Sequence, residues 1–200
     1  SFYNESPKAA VWPTPVIGML GLIEDASRVS NQFFKQSGDL IALLGEPCCS
    51  TGASQYLQTM HGLVSGQVPR IDLEKEKRLI DLILQLQEKG LINSAHDVSE
   101  GGLLVAVAES CFGTDPLGVE LGFELGCRPS CEYFGESGGR IVISFNQDKQ
   151  NEIEALCALH DTPVSLLGVV SDSGAFKVND HIDLPVHSLM HAWEQALTIN

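Results

Sequence analysis

The chain has 200 residues, enough for one domain plus a fragment of a neighbour, and folding at this length buries roughly 70% of the chain's surface without disulfides or metals. Its 12 basic against 26 acidic residues give a formal charge of −14, which disfavours nucleic-acid binding because phosphate neutralisation needs Lys and Arg. At 44% apolar and 19% charged residues, with no apolar run near the ~20 residues of a membrane helix, the composition is that of a soluble globular protein.

Pro7, Pro13 and Pro15 break any helix before residue 16. Residues 16–23 are apolar with Gly18 and Gly21 inside, which predicts a buried strand. The turn signal Ser37-Gly38-Asp39 introduces a second strand, Leu40–Leu44. Ser54 is placed to cap a short helix running to about Val64. The clearest helix covers residues 73–89, where Leu79, Leu82, Ile83 and Leu86 share one face, Asp72 caps the start and Gly90 ends it. A strand at 91–95, a buried helix at 103–111 and a strand at 119–125 follow, then a short helix at 128–134. The remainder reads as a strand at 141–145, a helix at 149–159, strands at 164–170 and 176–178, and a final helix opened by Pro185 and running through Leu197. Strands and helices interleave throughout, so the predicted fold is a layered α+β or α/β domain with a mixed sheet flanked by helices.

Two stretches have the composition of ligand loops. In Asp97-Val98-Ser99-Glu100-Gly101-Gly102, two glycines at a helix start let a ligand approach bare N–H groups where the dipole favours anions. Asp97 suits a cation or an orienting role; the plainer reading is a tight strand-to-helix turn with Ser99 as N-cap. In Glu136-Ser137-Gly138-Gly139-Arg140, the carboxylate and guanidinium can pair, or Arg140 can grip a phosphate bidentately. The plainer reading there is a surface hairpin with both charges in water. His96 beside Asp97 suggests an acid–base pair, but neighbours on a strand point to opposite faces. No phosphate-binding P-loop, dinucleotide fingerprint, nucleophile elbow or zinc-protease helix occurs. The cysteines Cys48, Cys49, Cys111, Cys127, Cys131 and Cys157 match no zinc or redox spacing, so reduced thiols in a cytoplasmic protein are expected. The first residues lack a basic region and an apolar signal core, so no secretion signal is expected, and the start at Ser1 suggests a processed or cut boundary.

Read in order, these stretches resemble one family along essentially the whole chain. Ser1-Phe2-Tyr3-Asn4-Glu5, Pro13-Thr14-Pro15-Val16-Ile17-Gly18, Leu43-Leu44-Gly45 and Ala53-Ser54-Gln55-Tyr56-Leu57 are similar to its S-L-Y-N-E, P-T-P-x-x-G, L-L-G and G-S-E-Y-L segments. Ser94-Ala95-His96-Asp97-Val98-Ser99-Glu100-Gly101-Gly102-Leu103 resembles its S-A-H-D-x-S-D-G-G-L, and Phe134-Gly135-Glu136-Ser137 with Arg140 its F-x-E-S-x-x-R. The family is phosphoribosylformylglycinamidine synthase subunit II of the small bacterial type, in the aminoimidazole-ribonucleotide synthetase superfamily.

The resemblance implies that residues 14–200 form the C-terminal α/β domain of the second of two pseudo-repeated halves, and that residues 1–13 are the tail of the preceding barrel-forming domain. It implies a role in an ATP-dependent C–N ligase of purine biosynthesis, with ATP and Mg2+ as cofactors of the full-length enzyme. That enzyme converts formylglycinamide ribonucleotide and glutamine-derived ammonia to the amidine. The implied partners are the N-terminal remainder of the same chain, a glutaminase subunit and a small accessory subunit. No catalytic residue is expected within this stretch, and no metal ligand is carried over. Ser1 is implied to touch the nucleotide substrate, with Tyr3, Asn4 and Glu5 as weaker candidates. The signature loops contribute Asp97, Ser99, Glu100, Gly101, Gly102, Glu136, Ser137 and Arg140, with Glu100 one methylene longer than the family's Asp. Such a part alone is expected to be inactive; the alternative is a structural and interaction module stabilising the pseudo-dimer and an auxiliary nucleotide site.

Overall fold

The computed structural model describes residues 16–23 and 25–196. In chain order the elements are β1 (Leu40–Leu44), α1 (Gln55–His61), α2 (Leu73–Glu88), β2 (Ser94–Asp97), α3 (Gly102–Ser110), β3 (Gly118–Leu121) and α4 (Pro129–Phe134). Then come β4 (Ile141–Phe145), α5 (Gln150–Leu159), β5 (Val164–Ser171), β6 (Ala175–Val178), β7 (Ile182–Pro185) and α6 (Val186–Gln195). The strands form one sheet in the order β2-β4-β1-β5-β3-β6-β7. All pairings are antiparallel except β3 with β6, so the sheet is mixed as the interleaved pattern predicts.

Strand alternation divides the core between two helix layers. On β1, Ile41 and Leu43 pack with α3, while Ala42 and Leu44 pack with Leu79, Leu82 and Leu86 of α2 and Ile153 of α5. On β4, Val142 joins the first cluster and Ile143 and Phe145 the second. A strand buried on both faces needs apolar residues at every position, which is why Leu40–Leu44 is a continuous apolar run. The predicted capping of α2 holds: the Asp72 carboxylate accepts from the Glu74 and Lys75 N–H groups at 3.0 and 3.2 Å. Ser54 likewise caps α1, which Gly62 ends three residues before the expected limit by turning left-handed.

Four boundaries differ from the sequence reading. Residues 16–23 form no strand and lie exposed, with Leu20 and Leu22 at 105% and 99% accessibility. Hydropathy identified the run, but burial needs a surface, and no strand among the described residues pairs with it. β2 begins at Ser94, three residues later than expected, because Leu91 and Ile92 serve as core residues of the loop that follows α2. β3 ends at Leu121, earlier than expected, although the Gly122 N–H still reaches β5 through the Leu167 carbonyl at 2.9 Å. β7 was unforeseen: Ile182–Pro185 pairs with β6 on the sheet edge, where Pro185 is tolerated as the last residue before α6.

Candidate functional site

Three loops meet at one end of the sheet because β4 lies between β2 and β1. Ile141, which opens β4, faces Asp97 at the end of β2 and Leu44 at the end of β1. The segment before β4, the turn after β2 and the loop after β1 therefore converge. These include both sequence-predicted stretches, which lie far apart in the chain.

Glu136 joins them. Its Oε1 accepts the Gln55 N–H at the start of α1 and the Gly101 N–H at the start of α3, both at 2.8 Å. A carboxylate of the protein thus occupies the place at the start of α3 where the sequence suggested an anionic ligand, and it serves the start of α1 as well. The approach is tight: a Cβ on Gly102, at φ +78°, would stand 2.7 Å from the Phe134 backbone. Tyr56 of α1 stacks on Phe134 with ring centroids 5.2 Å apart.

Arg140 is buried, at 3% accessibility, so the bend is not a hairpin with both charges in water. Its Nη2 donates to the Gly135 carbonyl at 2.6 Å and its Nε to the Ser137 carbonyl at 3.2 Å, and the backbone oxygen of Arg140 accepts the Val98 N–H at 3.0 Å. Nη1 is buried without a hydrogen-bond partner among the described residues. Burial pulls the guanidinium below its ordinary pKa, with Cys48 and Glu136 acting in the opposite direction. No ion pair joins Arg140 to Glu136 among the described residues; each side chain is committed to backbone instead. A guanidinium that closes its own loop in this way sets the path of residues 135–140.

Asp97 is largely exposed and accepts from the Ser99 hydroxyl, the main cause holding its carboxyl below the usual carboxylate pKa. Ser99 is therefore not the N-cap of α3. That position belongs to Gly101 at φ +83°, which an L-residue adopts only with strain. Ser99 turns back to Asp97 and offers only its carbonyl, which accepts the Gly102 N–H at 3.2 Å. His96 does approach Asp97, with Nδ1 3.5 Å from Oδ1, because Asp97 ends the strand and its side chain is free to fold back. The closer partner of His96 is Glu109 of α3, at 2.8 Å from Nε2. Glu100 is exposed, and Ser137 is half-buried. Ser1, Tyr3, Asn4 and Glu5 lie outside the described residues.

Ser137, Gly138 and Gly139 form one side of a cleft of about 860 Å3 whose other walls include residues 45–50 and the start of α2. Its lining carries the carboxylates Glu46, Asp72, Glu76 and Asp161 against the cations Arg70 and Lys75. Lys75 is already paired with Glu46 at 3.3 Å. Such a wall repels a polyphosphate unless positive charge arrives from elsewhere. The described residues hold no group of three or more His, Cys, Asp or Glu able to bind a metal ion. Sequence reasoning included Gly135 in its second candidate stretch but did not join Gly45 and Gln55 to this corner. A Cβ on Gly45 would stand 2.0 Å from the Gly139 carbonyl oxygen, and one on Gly135 would stand 2.5 Å from the Cys48 sulfur. The signal that could have found Gly45 and Gln55 is that both lie in segments carrying the family resemblance, Leu43-Leu44-Gly45 and Ala53-Ser54-Gln55-Tyr56-Leu57.

The chain is similar to known proteins along most of its length. Residues 36–181 match the family described as AIR synthase related protein, C-terminal domain. The phosphoribosylformylglycinamidine synthase subunit PurL of Thermoanaerobacter pseudethanolicus is 42% identical over 196 residues, a match covering 96% of this chain and 27% of that protein. The chain therefore spans about a quarter of the length of that relative. Two solved structures share the fold: Thermotoga maritima PurL complexed with FGAR, at TM-score 0.70 and 21% identity over 82% of this chain and 30% of that one, and the same protein complexed with ATP. The second has TM-score 0.66 and 21% identity, covering 82% of this chain and 27% of that one.

Proposed function

Since this chain belongs to the AIR synthase related C-terminal domain family, we propose that it is the C-terminal domain of a phosphoribosylformylglycinamidine synthase. In this reading residues 14–200 are the α/β domain of the second pseudo-repeat and residues 1–13 the tail of the domain before it. The observation that carries it is the 42% identity to a PurL subunit along 96% of the chain. The whole enzyme would use ATP and magnesium to activate the amide oxygen of formylglycinamide ribonucleotide, and ammonia from a glutaminase subunit would then displace phosphate. A small accessory subunit would complete the assembly. Ser1 would touch the nucleotide substrate, with Tyr3, Asn4 and Glu5 beside it.

The domain does not perform this reaction alone. Its cleft carries more carboxylates than cations, which supports this reading: charge for a polyphosphate would come from other parts of the enzyme. The exposed apolar residues 16–23 support the same reading, since a run of this kind is normally covered by a neighbour. The test is turnover of the isolated chain with ATP, formylglycinamide ribonucleotide and ammonia. No product is expected; amidine formation above background overturns the inactivity of the part.

The inward commitment of Glu136 and Arg140 favours a second reading, a structural and interaction module that stabilises the pseudo-dimer and an auxiliary nucleotide site. In the complete enzyme, Asp97→Ala and Arg140→Ala would then weaken assembly more than they slow chemistry. Loss of turnover with unchanged melting argues against it.

A further inference from the structure

We propose that the outward face of α2 is a self-association surface, on which a second copy of this chain docks antiparallel about a two-fold axis. The helix carries two apolar rows. The inner row, Leu79, Leu82 and Leu86, is buried in the core. The outer row, Leu73, Ile80 and Leu84, faces solvent at 76%, 53% and 61% accessibility. Seven and then four residues separate its members, so they stand one above another along about 16 Å of helix.

A helix packed on one side ordinarily shows charged and polar side chains on the other. Helix propensity accounts for leucine there but not for Ile80, whose β-branched side chain loses rotamer freedom in a helix. Apolar groups rimmed by charge on an open surface mark a contact site. Lys77 and Asp81 lie in the same row, both exposed and paired with each other at 2.7 Å.

Charge decides what this row fits. Along the chain it runs Leu73, Lys77, Ile80 with Asp81, then Leu84. A two-fold axis between residues 78 and 79 sets Leu73 against Leu84 of the second copy and Lys77 against its Asp81. Ile80 then rests on the aliphatic stem of the second copy's Lys77. The two intrachain ion pairs become one array of four alternating charges. A parallel arrangement would set Lys77 on Lys77 and Asp81 on Asp81, so the row selects the antiparallel one. Each chain carries a formal charge of −14, and two copies repel at long range. At physiological salt, charges more than about 8 Å apart are largely screened, so the pairs in contact count for more. One helix face buries less than about 1,200 Å2 in total, the size of weak, transient interfaces, and the dimer therefore forms at high protein concentration.

The test is sedimentation equilibrium of the chain at physiological salt, from about 10 μM to about 1 mM, the range of weak association. The unaltered chain is expected to pass reversibly from monomer to dimer. Lys77→Asp makes the row wholly acidic and Asp81→Lys makes it wholly basic, so each variant alone should dimerise at least about tenfold more weakly. Their equimolar mixture should recover the dimer. Neither chain in that mixture retains the Lys77–Asp81 ion pair, so the intrachain bridge does not account for the recovery. Circular dichroism should show both variants folded, since the two side chains face solvent. A monomer at every concentration, a mixture that stays monomeric, or association unchanged in both variants overturns the proposal. In the last case, loss of association in Leu20→Ser would assign the contact to residues 16–23.

Discussion

Residues 134–140 and residues 16–23 exchange the places that their composition suggests. The first stretch carries a carboxylate, a hydroxyl and a guanidinium, yet Arg140 is buried and Glu136 is half-buried with its oxygen shared between two backbone N–H groups. The second is almost wholly apolar, yet Val16, Met19, Leu20 and Leu22 stand in solvent. Burial follows from a surface to pack against, and polar groups tolerate it when their hydrogen bonds are met. The sheet end supplies that surface to residues 134–140 by bringing three loops to Ile141. No element among the described residues supplies it to residues 16–23.

Removing a buried polar anchor should have the largest effect. Arg140→Ala strips the Gly135 and Ser137 carbonyls of their donor and leaves a hole under the bend, an expected loss of about 3 kcal/mol in urea unfolding. A change below about 1 kcal/mol would mean that water replaces the guanidinium, and the contrast between the two stretches would weaken.

Two buried thiols give a second measure, Cys111 away from this corner and Cys157 beside the cleft. Burial pushes the Cys111 thiol up to about 12 and the Cys157 thiol, with help from Glu154, up to about 11. In the unfolded chain a thiol loses its proton near pH 8.5, so between about pH 9 and 11 the native state holds protons that the unfolded state has released. Stability contributed by these neutral thiols is complete below pH 8.5 and falls as pH rises, by about 1.4 kcal/mol per unit for each thiol. Urea unfolding at pH 8 and pH 10 should show the decline, and Cys111→Ala should flatten it. An unchanged slope in the variant would assign the alkaline loss to other groups.

Glu136→Gln keeps an oxygen acceptor but removes the charge at two helix N-termini, for an expected cost of about 1 kcal/mol. Hydrogen exchange should then quicken at Gln55 and Gly101 before it does elsewhere. Equal protection in both proteins would mean that the charge is immaterial. The smallest effect is expected for Leu20→Ser, within about 0.5 kcal/mol, because that side chain contacts solvent already. A larger loss in the isolated chain would show that residues 16–23 pack against it after all.

Much of the fold was legible because its signals are local. The repeat of Leu79, Leu82 and Leu86, the Asp72 cap and the continuous apolar run of Leu40–Leu44 each state a backbone conformation within a few residues. The edge strand β7 was not legible, since four residues ending in Pro185 take strand form only because β6 offers a ladder. The site was legible as two motifs but not as one place. Ser99 has the composition of an N-cap, and nothing within the turn itself announces that Asp97 will claim its hydroxyl and that Gly101 will take the position.

By itself, the sequence determined the helices and central strands, the family, and the stretches around Asp97 and Glu136 that distinguish it. Periodicity, caps and ordered motifs are properties of neighbouring residues. Only the tertiary structure decided that Glu136 would close two helix N-termini and that Arg140 would turn inward. Those outcomes depend on which loops the order β2-β4-β1 brings to the same end of the sheet. That order is set by long-range pairing and the burial it achieves, to which no single segment of the chain holds the key.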